Sequence, residues 1–181
     1  MTINILAVSG SLRAGSAHTG LIRLAQRLAP TGVSVSDPYP IERLPFYDAD
    51  LDNPEREPVA IGAWRRAITA ADAVLFAAPE YNFGPTGVMK NAFDWAVRPM
   101  GAHVMVGKPF AVIGGGGKGG GTKAQAYFEV TALLGAKMVN EPVIAIAMIA
   151  TKVNVDGTVT EPEIEDLVRA RLAALIAVVS E

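Results

Sequence analysis

The stretch Ile3-Asn4-Ile5-Leu6-Ala7-Val8-Ser9-Gly10-Ser11-Leu12-Arg13-Ala14-Gly15-Ser16 reads as a buried strand that runs into an anion cradle. Its opening is apolar except for Asn4, the pattern of a parallel strand covered on both faces, and the small polar residues behind it end the strand abruptly. A helix is predicted over residues 16–29, with Leu21, Ala25 and Leu28 on one stripe and Arg23 and Arg27 facing water. The N-terminus of that helix points its free N–H groups back at the loop, and with the positive end of the dipole they favour a phosphate dianion. Ser11, Arg13, Ser16 and His18 add side-chain donors, and the glycines let the backbone come close. A serine N-cap followed by a solvated arginine is the alternative for the same residues. The loop has neither Gly-x-x-x-x-Gly-Lys-Ser/Thr nor Gly-x-Gly-x-x-Gly, so neither a P-loop nucleotide nor a dinucleotide held in the Rossmann manner is expected.

A chain of 181 residues, half of them apolar, is expected to form one domain over residues 1–181 that buries roughly two-thirds of its unfolded surface. Without cysteine there is no disulfide, no thiolate metal site and no cysteine nucleophile. No metal ligand set stands out. The N-terminus reads as a strand with no cationic leader, and no apolar run reaches ~18 residues, so a cytoplasmic protein with no membrane partner is expected. A net charge of −2 and a pI near 5.7 argue against a nucleic-acid partner, so any bound anion must be held locally.

Further strands are expected at Val33-Ser34-Val35, over residues 72–78, over 110–113 and over 143–148, with helices over 58–70, 88–97, 122–134 and 161–179 between and after them. The last helix carries a stripe of Ile164, Val168, Leu172, Leu175, Ile176 and Val179, and Glu163, Glu165 and Asp166 suit its first turn. Strand and helix alternate five times. That order predicts an α/β fold of three layers: a five-stranded parallel sheet, order 2-1-3-4-5, with helices on both faces. Ligands of such sheets lie outside the carboxyl ends of the strands. Two more loops belong there: Pro79-Glu80-Tyr81-Asn82-Phe83 after the third strand, and the run from Gly114 to Gly121, broken only by Lys118, after the fourth. The glycine run reads as a ligand-contacting loop, since a helix follows it at once and a linker would separate domains. His103 reads as a surface histidine.

Two motifs carry a resemblance to a known family. Gly10-Ser11-Leu12-Arg13 with Ser16 resembles the phosphate loop of the NAD(P)H-dependent FMN reductases, a flavodoxin-like group that includes quinone, azo-dye and chromate reductases. Pro79-Glu80-Tyr81-Asn82 with Lys90-Asn91-Ala92-Phe93-Asp94-Trp95 is similar to the longer second motif of that family, and Leu44-Pro45-Phe46-Tyr47-Asp48 to a loop near its dimer interface. The resemblance implies FMN as cofactor, NADPH or NADH as reductant, and a small acceptor: a quinone, a free flavin, an azo compound or a metal oxyanion. It places the FMN phosphate on Ser11, Arg13, Ser16 and His18. The ring edge falls on Pro79, Glu80, Tyr81, Asn82 and Phe83, and the pyrimidine side on Gly115, Gly116, Gly117 and Lys118. No catalytic acid or base is required, because the cofactor carries the chemistry. His18 stands where the family usually has asparagine, which introduces an imidazole and with it a dependence of anion binding on pH.

The resemblance also implies a homodimer or homotetramer. Met89, Phe93 and Trp95 around more than one face of the 88–97 helix suggest apolar surface for a second copy to bury. Two other classes fit a phosphate loop: a flavodoxin-type electron carrier, against which the near-neutral charge and Arg13, Lys118 and Lys123 weigh, and a non-enzymatic sensor of a phosphorylated ligand.

Overall fold

The computed structural model describes residues 2–181. In chain order the elements are β1 (Ile3–Ser9), α1 (Ala17–Leu28), β2 (Val33–Val35), α2 (Val59–Ala70), β3 (Ala73–Tyr81), β4 (Gly84–Pro85), α3 (Gly87–Ala96), β5 (Pro109–Gly116), α4 (Thr122–Ala132), β6 (Lys137–Val139), β7 (Ala145–Ala147) and α5 (Glu163–Val179). The main sheet is parallel in the order β2-β1-β3-β5-β6, which is the flavodoxin-like three-layer arrangement. It has seven strands rather than five, for two local reasons. β4 is a two-residue arm that folds back antiparallel on the end of β3. The fifth position is split, with β6 pairing the first half of β5 and β7 the second half.

The apolar runs sit where their periodicity requires. β1 and β3 alternate their side chains between two cores, so both faces must be covered. Ile5, Ala7, Ala73 and Leu75 pack with Leu21 and Ile22 of α1 and Val168 and Leu172 of α5 on one face. Val8, Val74 and Phe76 pack with Trp64 of α2, Phe93 of α3 and Phe128 of α4 on the other. The stripe expected along the last helix lies as read: Ile164, Val168, Leu172 and Leu175 are buried, Ile176 and Val179 pack at the edge, and three acidic residues occupy the first turn.

Two strands run further than the sequence pattern showed. β3 continues through Pro79 to Tyr81, and β5 takes in Gly114, Gly115 and Gly116, so the glycine run begins inside the sheet. Gly114 and Gly115 are buried because neighbours press on them: a Cβ on Gly115 would lie 2.4 Å from the Ile146 carbonyl oxygen and 2.8 Å from the Ile149 Cβ. His103 is also buried, its Nε2 3.0 Å from the Leu134 carbonyl oxygen, and is no surface histidine.

The reading of α3 as an exposed apolar helix is overturned. Met89, Phe93 and Trp95 are each 0% exposed. Phe93 meets Phe76 and Phe128 at 5.9 and 5.4 Å between ring centres, and the Trp95 indole N–H donates to the Pro45 carbonyl at 2.9 Å. Three helical positions on more than one face can be apolar without facing water when a sheet lies below and a folded-back loop lies beside, and residues 44–47 are that loop. Trp95→Ala is therefore expected to destabilise the chain itself by roughly 3–5 kcal/mol. The urea midpoint should fall at unchanged slope, and a wild-type midpoint would contradict the packing described.

Candidate active site

One cavity of about 260 Å³ opens at the carboxyl ends of the strands, just below the ~300–1,000 Å³ of small-molecule sites. Ser11, Arg13, Ser16, His18, Pro79, Glu80, Tyr81, Gly115, Gly116 and Gly117 all line it, from three separate segments. Asn82, Phe83 and Lys118 are not in its wall. Asn82 and Phe83 form the tip of the β3–β4 hairpin, both with left-handed backbone (φ 52° and 64°), the requirement of the tight hairpin turn. That turn swings Phe83 outward to 82% exposure, and Lys118 is exposed on the loop after β5.

Two helix N-termini face the crevice. Ser16 caps α1, its Oγ accepting from the amides of His18 and Thr19 at 3.1 and 3.4 Å, which leaves its hydroxyl proton free to donate outward. Arg13 is exposed beside it and forms no ion pair among the described residues. At α4 the situation is opposite. The Glu80 carboxylate accepts from the Lys123 and Ala124 amides at 2.7 and 3.0 Å, so this end already holds an anion from the chain. The cavity is thus polarised, with its free donors at the α1 end and its glycine backbone at the other.

His18 does not supply a cation. Its Nε2 lies 3.2 Å from the Gly115 carbonyl oxygen, with the side chain buried between α1 and β5. Burial pushes its pKa down to about 4, against the opposing effect of hydrogen bonds to the Gly115 and Ala78 carbonyls. In the chain without ligand it is a neutral N–H donor that ties the helix behind the phosphate loop to the glycine strand.

The second motif acts at a distance from the cavity. Asn91 is buried on α3; its Oδ1 accepts from the Tyr47 amide at 2.8 Å and its Nδ2 donates to the Pro45 carbonyl at 2.9 Å. With the Trp95 bond to the same carbonyl, these contacts pin the 44–47 loop and leave Phe46 82% exposed. Phe46, Leu12, Tyr81 and Val88 line an apolar groove that adjoins the first cavity and shares Ser11, Arg13 and Tyr81 with it. Gly10 forms the seam: Thr86 donates to its carbonyl at 2.7 Å, and a Cβ there would lie 2.7 Å from the Pro79 ring.

The fourth wall was missed in the sequence. Met148, Ile149, Ala150 and Thr151 follow β7 and complete the cavity wall. The signal was available: they stand at the carboxyl end of the fifth strand position, where such sheets place ligand loops.

A doubly wound sheet with three loops around one crevice at the carboxyl ends of its strands defines a flavodoxin-like fold, the first loop carrying the donors suited to an anion. The chain matches the family NADPH-dependent FMN reductase over residues 3–151. It is 34% identical over 180 residues to a probable NADPH:quinone oxidoreductase of Oryza sativa subsp. japonica, covering 97% of this chain and 88% of that protein. It is 35% identical over 175 residues to an NAD(P)H-dependent FMN reductase of Pseudomonas aeruginosa, covering 96% and 93%. The solved structure of FerB, a flavoenzyme NAD(P)H:(acceptor) oxidoreductase from Paracoccus denitrificans, superposes with a TM-score of 0.85 at 31% identity over 99% of this chain and 98% of that one. The chain belongs to the NADPH-dependent FMN reductase family: it is an oxidoreductase with FMN as cofactor and NAD(P)H as reductant.

The residues present fit that cofactor. The free hydroxyls of Ser11 and Ser16, the unpaired Arg13 and the α1 N-terminus suit a phosphate, and the uncovered glycine backbone suits a flat ring. The buried neutral His18 sets a pH dependence of the flavin-free chain. The unfolded state, with a histidine pKa near 6.5, binds the proton that the folded state refuses until about pH 4. Stability is fully present above about pH 6.5 and is lost as pH falls towards 4, with a slope up to ~1.4 kcal/mol per pH unit from this group. Midpoints of thermal unfolding across this window should fall with pH in the wild type and less steeply in His18→Asn. Parallel profiles would place the titration elsewhere.

Proposed function

We propose that this protein reduces quinones with electrons from NAD(P)H, at a site where polar cavity and apolar groove meet. The observation that carries the reading is their shared boundary at Ser11, Arg13 and Tyr81: a charged, hydrogen-bonding half beside a half walled by Leu12, Phe46 and Val88. A ring acceptor of low polarity suits such a groove better than a metal oxyanion, and relatives named as quinone oxidoreductases support the choice.

When bound, FMN would supply the redox chemistry, hydride transfer between NAD(P)H and the acceptor. The chain binds and orients. Arg13, Ser11 and Ser16 would hold the phosphate, and the backbone of Pro79, Glu80 and Tyr81 with that of Gly115, Gly116 and Gly117 would hold the ring. His18 keeps the α1 end and the glycine strand at a constant distance. Glu80, the carboxylate in the cavity wall, is engaged by the α4 amides. No residue is assigned to proton transfer, and the proton that completes the hydroquinone after hydride transfer comes from solvent.

A homo-oligomer, dimer or tetramer, belongs to the same proposal, but on different grounds from those the sequence suggested. Leu12, Phe46 and Phe83 are exposed, and Leu12 and Phe46 flank the groove, so a second copy that covers them would also shield the acceptor from water. The proposed setting is the cytoplasm. No helix among the described residues is long and apolar enough to cross a membrane.

If one crevice receives the reductant and then the acceptor, steady-state kinetics with NAD(P)H and a benzoquinone should be ping-pong, with parallel double-reciprocal lines. Intersecting lines, with product inhibition showing a ternary complex, would mean that the two partners occupy separate places. A benzoquinone turned over no faster than free flavin would remove quinones as the substrate class.

A further inference from the structure

The split edge of the sheet has a numerical peculiarity. Along β5, Ala111 and Gly114 are three residues apart, but their partners Val139 and Ala145 are six apart, so the edge chain loops out three extra residues between β6 and β7. A loop-out can in principle absorb one residue more or fewer, and each such slip would turn every following side chain to the other face. Everything after the loop-out depends on the count. Ala145–Ala147 pair with Gly114–Gly116, Met148 donates its amide to the Gly117 carbonyl at 3.0 Å, and Ile149 packs against Gly115. Met148 holds a left-handed backbone (φ 52°) at this junction and is 46% exposed in the cavity wall.

The loop-out is gripped from both faces by side chains. Arg171 of α5 is 0% exposed, and its guanidinium donates to the carbonyls of Val139, Asn140 and Pro142. From the opposite face Gln125 of α4, also buried, donates to the Ile144 carbonyl. Arg171 has no carboxylate within ion-pair distance among the described residues; the loop carbonyls are its partners. Burying a guanidinium is costly, and an apolar side chain of the same volume would fill the space as well. What the cation adds is geometry: a planar fork of five donors satisfies three carbonyls of one segment only when that segment has one length and one path.

We propose that Arg171 is a positioning residue of the active site: by fixing the loop-out between β6 and β7 it sets the register that places Met148–Thr151 in the wall of the flavin cavity. The proposal rests on that cavity being the flavin site, and its test separates the two. Arg171→Met keeps the volume and removes the donors; Arg171→Lys keeps a cation that cannot reach three carbonyls in one plane. The first readout needs no flavin. Amide hydrogen exchange should quicken at Met148 by at least ~10-fold more in Arg171→Met than at β1 and β3 amides, with Arg171→Lys in between.

The second readout is FMN affinity of the folded protein by fluorescence titration, expected to weaken about 10-fold in Arg171→Met with a smaller loss in Arg171→Lys. Faster exchange spread evenly over the sheet, with FMN affinity unchanged, would make Arg171 a stability residue only and overturn the proposal. Selective exchange at Met148 with no FMN binding even in the wild type would leave the register role standing and remove the flavin reading instead. Should Arg171→Met not fold, Arg171→Lys carries the test with the same two readouts and the same overturning result.

Discussion

Two helix N-termini open onto one crevice, and the chain places a negative charge on only one of them. The Glu80 carboxylate occupies the donors at the start of α4, whereas α1 is capped only by the small hydroxyl of Ser16 with an unpaired Arg13 alongside. Side-chain donors beside an uncompensated dipole end attract an anion, and a terminus already holding a carboxylate repels a second one. This asymmetry gives the cavity a direction. In the proposed orientation a ligand with one phosphate and one flat ring would lie with its phosphate towards α1 and its ring towards the glycine backbone of β5. An enzyme whose cofactor does the chemistry depends on such orientation more than on any acid or base.

Orientation is useful only if the walls keep their distances, and each wall is tied to another. His18 binds the α1 end to Gly115, Glu80 binds β3 to α4, and Thr86 binds the start of α3 to the Gly10 carbonyl. The last wall, at Met148, is tied to Gly117 directly and through the gripped loop-out to α4 and α5. All of these ties end on backbone groups. That suits a site built of glycines and small residues, where the neighbours press too closely for side chains to meet.

Much of this was legible in the sequence, for reasons that can be stated residue by residue. The apolar run before Ser9 and the helical stripe behind Ser16 are local patterns with one physical solution, so β1, the loop and α1 could be read directly. The strand order followed from the alternation of elements, and the crevice from the order. Long-range packing hid the rest. Met89, Phe93 and Trp95 looked exposed because nothing local shows that residues 44–47 fold back over α3, held by Asn91 and Trp95. The hairpin tip at Asn82 and Phe83 lacks a glycine, so its left-handed turn left no mark, and the cavity wall ends one residue before it, at Tyr81. The split of the fifth strand depends on an arginine 29 residues beyond the Pro142 carbonyl it binds, a separation that no periodicity can show.

The central claim is that the α1 end of the cavity holds the flavin by its phosphate. Calorimetric titration of flavin-free protein with FMN and with riboflavin tests it most directly, because the two ligands share the ring and differ only in the group that the cradle is built for. The account predicts riboflavin binding at least ~100-fold weaker, the loss of two or more charge-assisted hydrogen bonds of about 1.5–3 kcal/mol each. Equal affinities for the two ligands would contradict it.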